Sequence, residues 1–202
     1  MIFRKIKQKN NGFTLVELMV ASTLFTFIMM MGVGSLVMSS NSAKSSQKLR
    51  TAVDNVNFAM ESMARELRTG TVYTCETTQI ILSDSLLPKD CPTTYGNIIA
   101  FKPQSTAGGA TRVAYELKAR ADGTNTLIRC EFISPSTVTP CPEVVSSEVD
   151  IKSLKFYVVG SALPPDTIQP SVEILIKGQI IVKGVITPFI LQTMASQRSA
   201  EK

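Results

Sequence analysis

Glu17 is the one ionisable residue between Phe13 and Met38, in the stretch FTLVELMVASTLFTFIMMMGVGSLVM. A carboxylate in such apolar surroundings requires a cation, because an acidic side chain at the centre of a membrane helix costs roughly 2.5–3.5 kcal/mol, and less near its end. Its chemistry would be charge neutralisation in a medium of low dielectric. The other reactive side chains are four cysteines, Cys75, Cys91, Cys130 and Cys141, suited to disulfide formation. The chain has no histidine, which removes the commonest general base and the commonest transition-metal ligand together. GGAT (108–111) lacks the lysine of a phosphate-binding loop, and neither a G-x-S-x-G turn nor a metal-ligand cluster occurs. An enzyme has no residues to stand on here, and neither a cofactor nor a metal is expected.

The charge distribution narrows the partners. The chain has 21 Lys+Arg against 16 Asp+Glu, but Arg4, Lys5, Lys7 and Lys9 stand together in the first dozen residues with no acid among them. Removing those four leaves 17 against 16, so the body is nearly neutral. A general nucleic-acid-binding surface is not implied. From Leu18 to Met38 the chain runs 21 residues without a charge, about 31 Å as a helix and long enough to cross a bilayer core. An ordinary cleaved secretory signal has only 7–15 apolar residues and fits poorly. An anchor with its basic end in the cytoplasm follows from the charge asymmetry.

The junction KNNGFTLVE (9–17) sharpens this reading. A basic leader ends in Gly12, Phe13 follows, and Glu17 stands four residues later as the apolar run begins. The arrangement resembles the class III signal of type IV prepilins and type II secretion pseudopilins. The resemblance implies that a membrane prepilin peptidase cuts between Gly12 and Phe13 on the cytoplasmic side and methylates the new terminus at Phe13. It further implies that Glu17 neutralises the amino terminus of an adjacent subunit. The implied partners are the peptidase, other pilin or pseudopilin subunits, an inner-membrane assembly platform and membrane lipid. The implied location is the bacterial cytoplasmic membrane, as a single-pass protein with an extracytoplasmic C-terminal domain, and then the pilus or pseudopilus. Two alternatives stay open on the residues alone. The segment can remain an uncleaved anchor, and the acid can pair within its own chain, since it leans back over a helix N-terminus whose dipole favours it.

The elements that position these residues follow from periodicity. The leader is expected over 1–12, the membrane and assembly segment over 13–38, an amphipathic helix over 39–69 and a β-rich globular domain over 70–202. A helix from about 14 to 69 would be about 84 Å long. Leu49, Val53, Val56, Met60, Met63 and Leu67 recur at heptad steps, a stripe suited to packing on a sheet of the same chain. A partner coiled coil is the competing use. Gly32 and Gly34 each weaken the helix by about 1 kcal/mol relative to alanine, so local unwinding is expected there after assembly. Gly70 is expected to end the helix.

Beyond Gly70, short runs rich in β-branched and aromatic residues read as strands: QIILS, NIIAFK, TRVAYELK, TLIRCEF, LKFYVV, VEILIKG, QIIVKG and VITPFILQT. Asp122-Gly123 and Gly108-Gly109 are turn formers, and ADGTN marks the clearest hairpin. No long crossover helix separates the runs, so the sheet is expected to be antiparallel and the fold class α+β. One long helix on an antiparallel sheet is also the type IV pilin fold that the resemblance implies.

The four cysteines all lie on the exported side of this topology, and no CxxC pair supports zinc. Two disulfides, Cys75–Cys91 and Cys130–Cys141, are expected because each pair brackets a turn-rich loop; reduced thiols are the alternative. Asp84, Asp90, Asp122 and Asp166 read as turn residues rather than calcium ligands. Loops around 84–96 and 134–148 leave open an anchored extracellular binding module. The MESMARELR helix end and the FILQTMASQR tail are similar to those of minor pilins and J-type pseudopilins, without excluding a major subunit.

Overall fold

The protein is described from a computed structural model, which covers residues 12–77, 87–91, 94–104, 111–134, 137–138, 140–162 and 168–198. It divides into two units, Met1–Ser46 and Gln47–Lys202. One helix, α1 (Leu15–Thr69), contributes to both.

In the first unit α1 is apolar on every side, and its large side chains from Leu15 to Met38 are all more than half exposed. Three hydroxyls inside this stretch bond back to the helix backbone. Ser22 donates to the Met19 carbonyl, Thr23 to that of Val20 and Thr26 to that of Ser22, at 3.0, 2.9 and 2.8 Å. Such back-bonding lets polar residues sit in an apolar medium. Helix continues through Gly32 and Gly34, where nothing lies within 4 Å of an added Cβ; the expected unwinding concerns the assembled state.

In the second unit one face of α1 is buried through Ala52, Val56, Ala59, Met60, Met63, Ala64 and Leu67. The heptad stripe expected Val53 on this face, and Val53 is 40% exposed. The buried face turns with the 3.6-residue period, and Ala52 takes the place given to Val53. Ala52, Ala59 and Ala64 are buried on this face together with the larger residues. Leu49, Val56, Met60, Met63 and Leu67 share one core with residues of the strands.

Among the described residues, eight strands form two antiparallel sheets rather than one. The first holds β1 (Thr71–Glu76), β2 (Ile98–Lys102), β3 (Arg112–Ala119), β4 (Asn125–Ser134) and β5 (Thr137–Val138) in that order. The second holds β6 (Val149–Val159), β7 (Ser171–Val182) and β8 (Val185–Ser196). A bridge between Gly96 and Phe156 joins the strand run before β2 to β6. The ADGTN turn closes the β3–β4 hairpin, with Gly123 at φ 82° and the Thr124 N–H donating to Asp122 at 2.9 Å.

VEILIKG and QIIVKG are one strand, β7. Gly178 inside it is no turn former: an added Cβ would come within 2.7 Å of the Asp150 carbonyl and 2.8 Å of Phe189. The turn is at Lys183-Gly184, both at positive φ (50° and 78°), as a two-residue hairpin between right-twisted strands requires. Gly70 ends the helix for a different reason from the one expected. Left-handed backbone falls instead at Val72 (φ 53°), and a Cβ on Gly70 would lie 2.5 Å from the Phe101 ring. QIILS and Gly108-Gly109 lie outside the described residues.

Candidate processing and assembly site

Gly12, Phe13 and Thr14 are exposed and carry no regular structure; the helix begins at Leu15. Thr14 caps it. The Glu17 N–H donates to Thr14 Oγ1 and the Leu18 N–H to the Thr14 carbonyl, each at 3.3 Å. Thr14-Leu15-Val16-Glu17 is therefore the start of a Thr-x-x-Glu capping box. The signal was present in the sequence, but reading Glu17 only for its charge passed over it.

The cap has two consequences. It places the Gly12–Phe13 bond outside the hydrogen-bonded helix. It also puts the Glu17 carboxylate in the first turn, where the helix dipole favours an anion. Phe13 is 78% exposed, and no residue of the most apolar window of α1 is buried against its own chain. This segment is long and apolar enough to cross a membrane.

The cysteines are bonded as nearest neighbours, Cys75 to Cys91 with Cα atoms 5.9 Å apart and Cys130 to Cys141 at 4.4 Å. Around the first bridge, Cys75 N donates to the Lys89 carbonyl, Lys89 N to that of Tyr73 and Cys91 N to that of Val158, at 3.1, 3.0 and 3.0 Å. Gly96 packs so tightly on Cys75 Sγ that no side chain fits there. The second bridge holds the segment after Pro140 on β4, where Arg129 N donates to the Pro142 carbonyl and Val144 N to that of Leu127.

Two ionic networks hold the second unit together, and neither was legible beforehand. Glu66 on α1 accepts from Arg129 Nε at 3.1 Å and from the Tyr115 hydroxyl at 3.0 Å; Arg129 also pairs with Glu131. Burial, then the Glu66 charge, pushes the Tyr115 hydroxyl well above the usual phenol range. Burial works against the Arg129 charge, but its bonds to Glu131 and Glu66 outweigh this and raise its pKa. Arg120 donates to the carbonyls of Val149, Ser146 and Val145, to Thr126 and to Glu143. Glu143 is held below the ordinary carboxylate range, chiefly by Arg120.

The aspartates of the loops that lie among the described residues act as clamps. Asp90 accepts from Gly160 N, Ser161 N and the Ser161 hydroxyl. Asp122 accepts from the Thr124 hydroxyl and N–H, which lower its pKa in that order. Asp84 and Asp166 lie outside the described residues.

A long helix, apolar in its first half and amphipathic in its second, followed by antiparallel sheets, is an α+β type IV pilin-like architecture. The prokaryotic N-terminal methylation motif matches residues 7–33, which supports a type IV pilin-like prepilin. No curated protein and no solved structure matches the chain.

Proposed function

We propose that this protein is a structural subunit, a minor pilin or pseudopilin, that is cut by prepilin peptidase and assembled into a pilus or type II secretion-like pseudopilus. The observation that carries the reading is the methylation motif over residues 7–33, set on a helix whose apolar half is unburied in its own chain. Cleavage between Gly12 and Phe13 frees an ammonium at the head of that helix. Methylation at Phe13 leaves it cationic. In the membrane Glu17 can meet this amine only within its own chain, which offsets the charge cost in part, and in the filament it meets the amine of the neighbouring subunit. The basic leader stays in the cytoplasm, the β-rich unit is exported, and the two disulfides suit an oxidising compartment. The partners are the peptidase, other subunits, the inner-membrane assembly platform and lipid. The protein acts by assembly and not by catalysis.

The test is the mass of the native protein from a host with the peptidase. The expected product lacks residues 1–12 and carries one methyl group on Phe13. An intact leader, monomeric behaviour and undisturbed function after exchange of the whole helix would instead establish an anchored extracellular binding domain.

A further inference from the structure

The β7–β8 hairpin ends in an exposed apolar tip. Val185, Ile186 and Ile190 are 63%, 59% and 65% exposed there. Lys177 pairs with Ile190 across the ladder and shares its face, and Lys183 occupies the turn. From Ile174 to Arg198 the chain carries no acid; on β6, Asp150 accepts from Gln179 Nε2 at 3.0 Å and is paired with Lys152, and the Glu148 carbonyl accepts from Ile181 N. Exposed aliphatic side chains interleaved with lysines match a lipid surface bearing anionic headgroups.

We propose that this tip docks on the surface of the membrane in which the subunit is stored, with phospholipid headgroups as its ligand. The proposal rests on the reading of residues 13–38 as a membrane span. Within the second unit the hairpin tip lies toward the Asn55 end of α1, because Ile181 bonds Glu148 and the nearby Ser146 N–H donates to Asn55. The other end of β8 lies at Arg68, whose carbonyl accepts from Arg198 N. The unit begins at Gln47, nine residues beyond Met38, and nine residues span at most about 30 Å even fully extended. Chain length alone therefore keeps Gln47, the start of the unit, within about 30 Å of the end of the span. A second copy is the poorer occupant. The two-residue turn makes Val182–Val185 a hydrogen-bonded pair, so by alternation Pro188 opposite Gln179 turns its ring nitrogen to the open edge and blunts it. Apposed hairpins would also bring lysines together.

The experiment uses the full chain in phosphatidylcholine/phosphatidylglycerol vesicles, with an environment-sensitive fluorophore on one added cysteine and a quencher in the upper acyl region. Ile186→Cys is expected to be quenched. Met194→Cys, on the same exposed face eight residues and about 27 Å along β8, is expected not to be. Leu24→Cys reports the span itself. Quenching at Leu24 without an excess at Ile186 over Met194 overturns the docking alone; no quenching at Leu24 overturns the membrane reading and the docking with it. Lys177→Gln with Lys183→Asn, which suits the positive φ of that turn, is expected to remove the dependence on phosphatidylglycerol, and an unchanged dependence refutes the charge argument. Self-quenching at Ile186 that follows copy density and not lipid assigns the tip to a second copy and overturns the proposal.

Discussion

Glu17→Gln isolates the charge from the rest of the helix start. The Glu17 backbone N–H, not its carboxylate, donates to Thr14 Oγ1, and glutamine serves at this position of a capping box as well as glutamate does. The helix therefore begins at Leu15 in the variant as in the parent. What is lost is the counter-charge to the Phe13 amine. An unpaired cation at mid-bilayer costs roughly 2.5–3.5 kcal/mol, and near the end of the span about 1–3 kcal/mol is the working range. In the assembled state this becomes a deficit of roughly 5- to 150-fold in incorporation against the wild type. The assay is co-expression of tagged wild-type and variant chains, followed by their ratio in sheared filaments and in the membrane fraction. Cleavage at Gly12 should be untouched, since Glu17 lies beyond the cut. Thr14→Ala provides the control: it removes the cap at a cost of about 1 kcal/mol in helix stability and leaves the charge in place. Equal incorporation of Glu17→Gln and wild type refutes the charge argument. Equal deficits in Glu17→Gln and Thr14→Ala refute it as well, because the helix start would then be the common cause.

Gly12→Val should leave the leader attached, read as an intact N-terminus by mass spectrometry of the membrane fraction. Replacing Cys75 and Cys91 together by serine opens a bridge of sequence separation 16 and should lower stability by about 3 kcal/mol, read as a shift in the urea midpoint. Arg120→Met strips three backbone carbonyls of a donor whose side chain is only 10% exposed; a loss of about 3 kcal/mol is expected, with Glu143→Gln much milder because that carboxylate is half exposed. The buried Asp150 has a depressed pKa: burial would raise it, but Lys152, the Asn125 N–H and Gln179 outweigh that. Its stabilisation is therefore full above the unfolded value of about 3.9 and is lost as pH falls through the folded one, so Asp150→Asn should flatten the acid limb of stability against pH.

Legibility followed the range of the interactions. ADGTN was readable as a hairpin because the Asx turn and the positive φ of Gly123 are settled within five residues. The Lys183-Gly184 turn was not, because a lysine at positive φ has no local signature; the twist of two 12-residue strands imposes it. Gly178 looked like punctuation for the same reason. Its neighbours, Asp150 and Phe189, are brought to it only by pairing with β6 and β8. Val53 was assigned to the core because a stripe of large residues ignores alanine, whereas the 3.6-residue period turns Ala52, Ala59 and Ala64 onto the buried face. The networks of Glu66 with Arg129 and of Arg120 with three carbonyls join residues tens of positions apart, and nothing in their local sequence distinguishes them from solvated charges.

The N-terminal motif that matches over residues 7–33 was legible for the opposite reason: its components from Gly12 to Glu17 lie within six residues. The cap missed there changes what Glu17 is asked to do. In the uncut chain the acid stands in a first turn that Thr14 already terminates, so the helix has a defined start before any peptidase acts. Cutting at Gly12 then places the new amine one residue before that cap. The charge pair is consequently not needed to build the helix, and the cost of leaving it incomplete falls on the environment of the segment. On the proposed assembly, lipid leaves part of that cost in place and a neighbouring subunit removes it. A carboxylate that shaped its own helix would be served equally well in either setting, and only one that does not can make polymerisation the more favourable state.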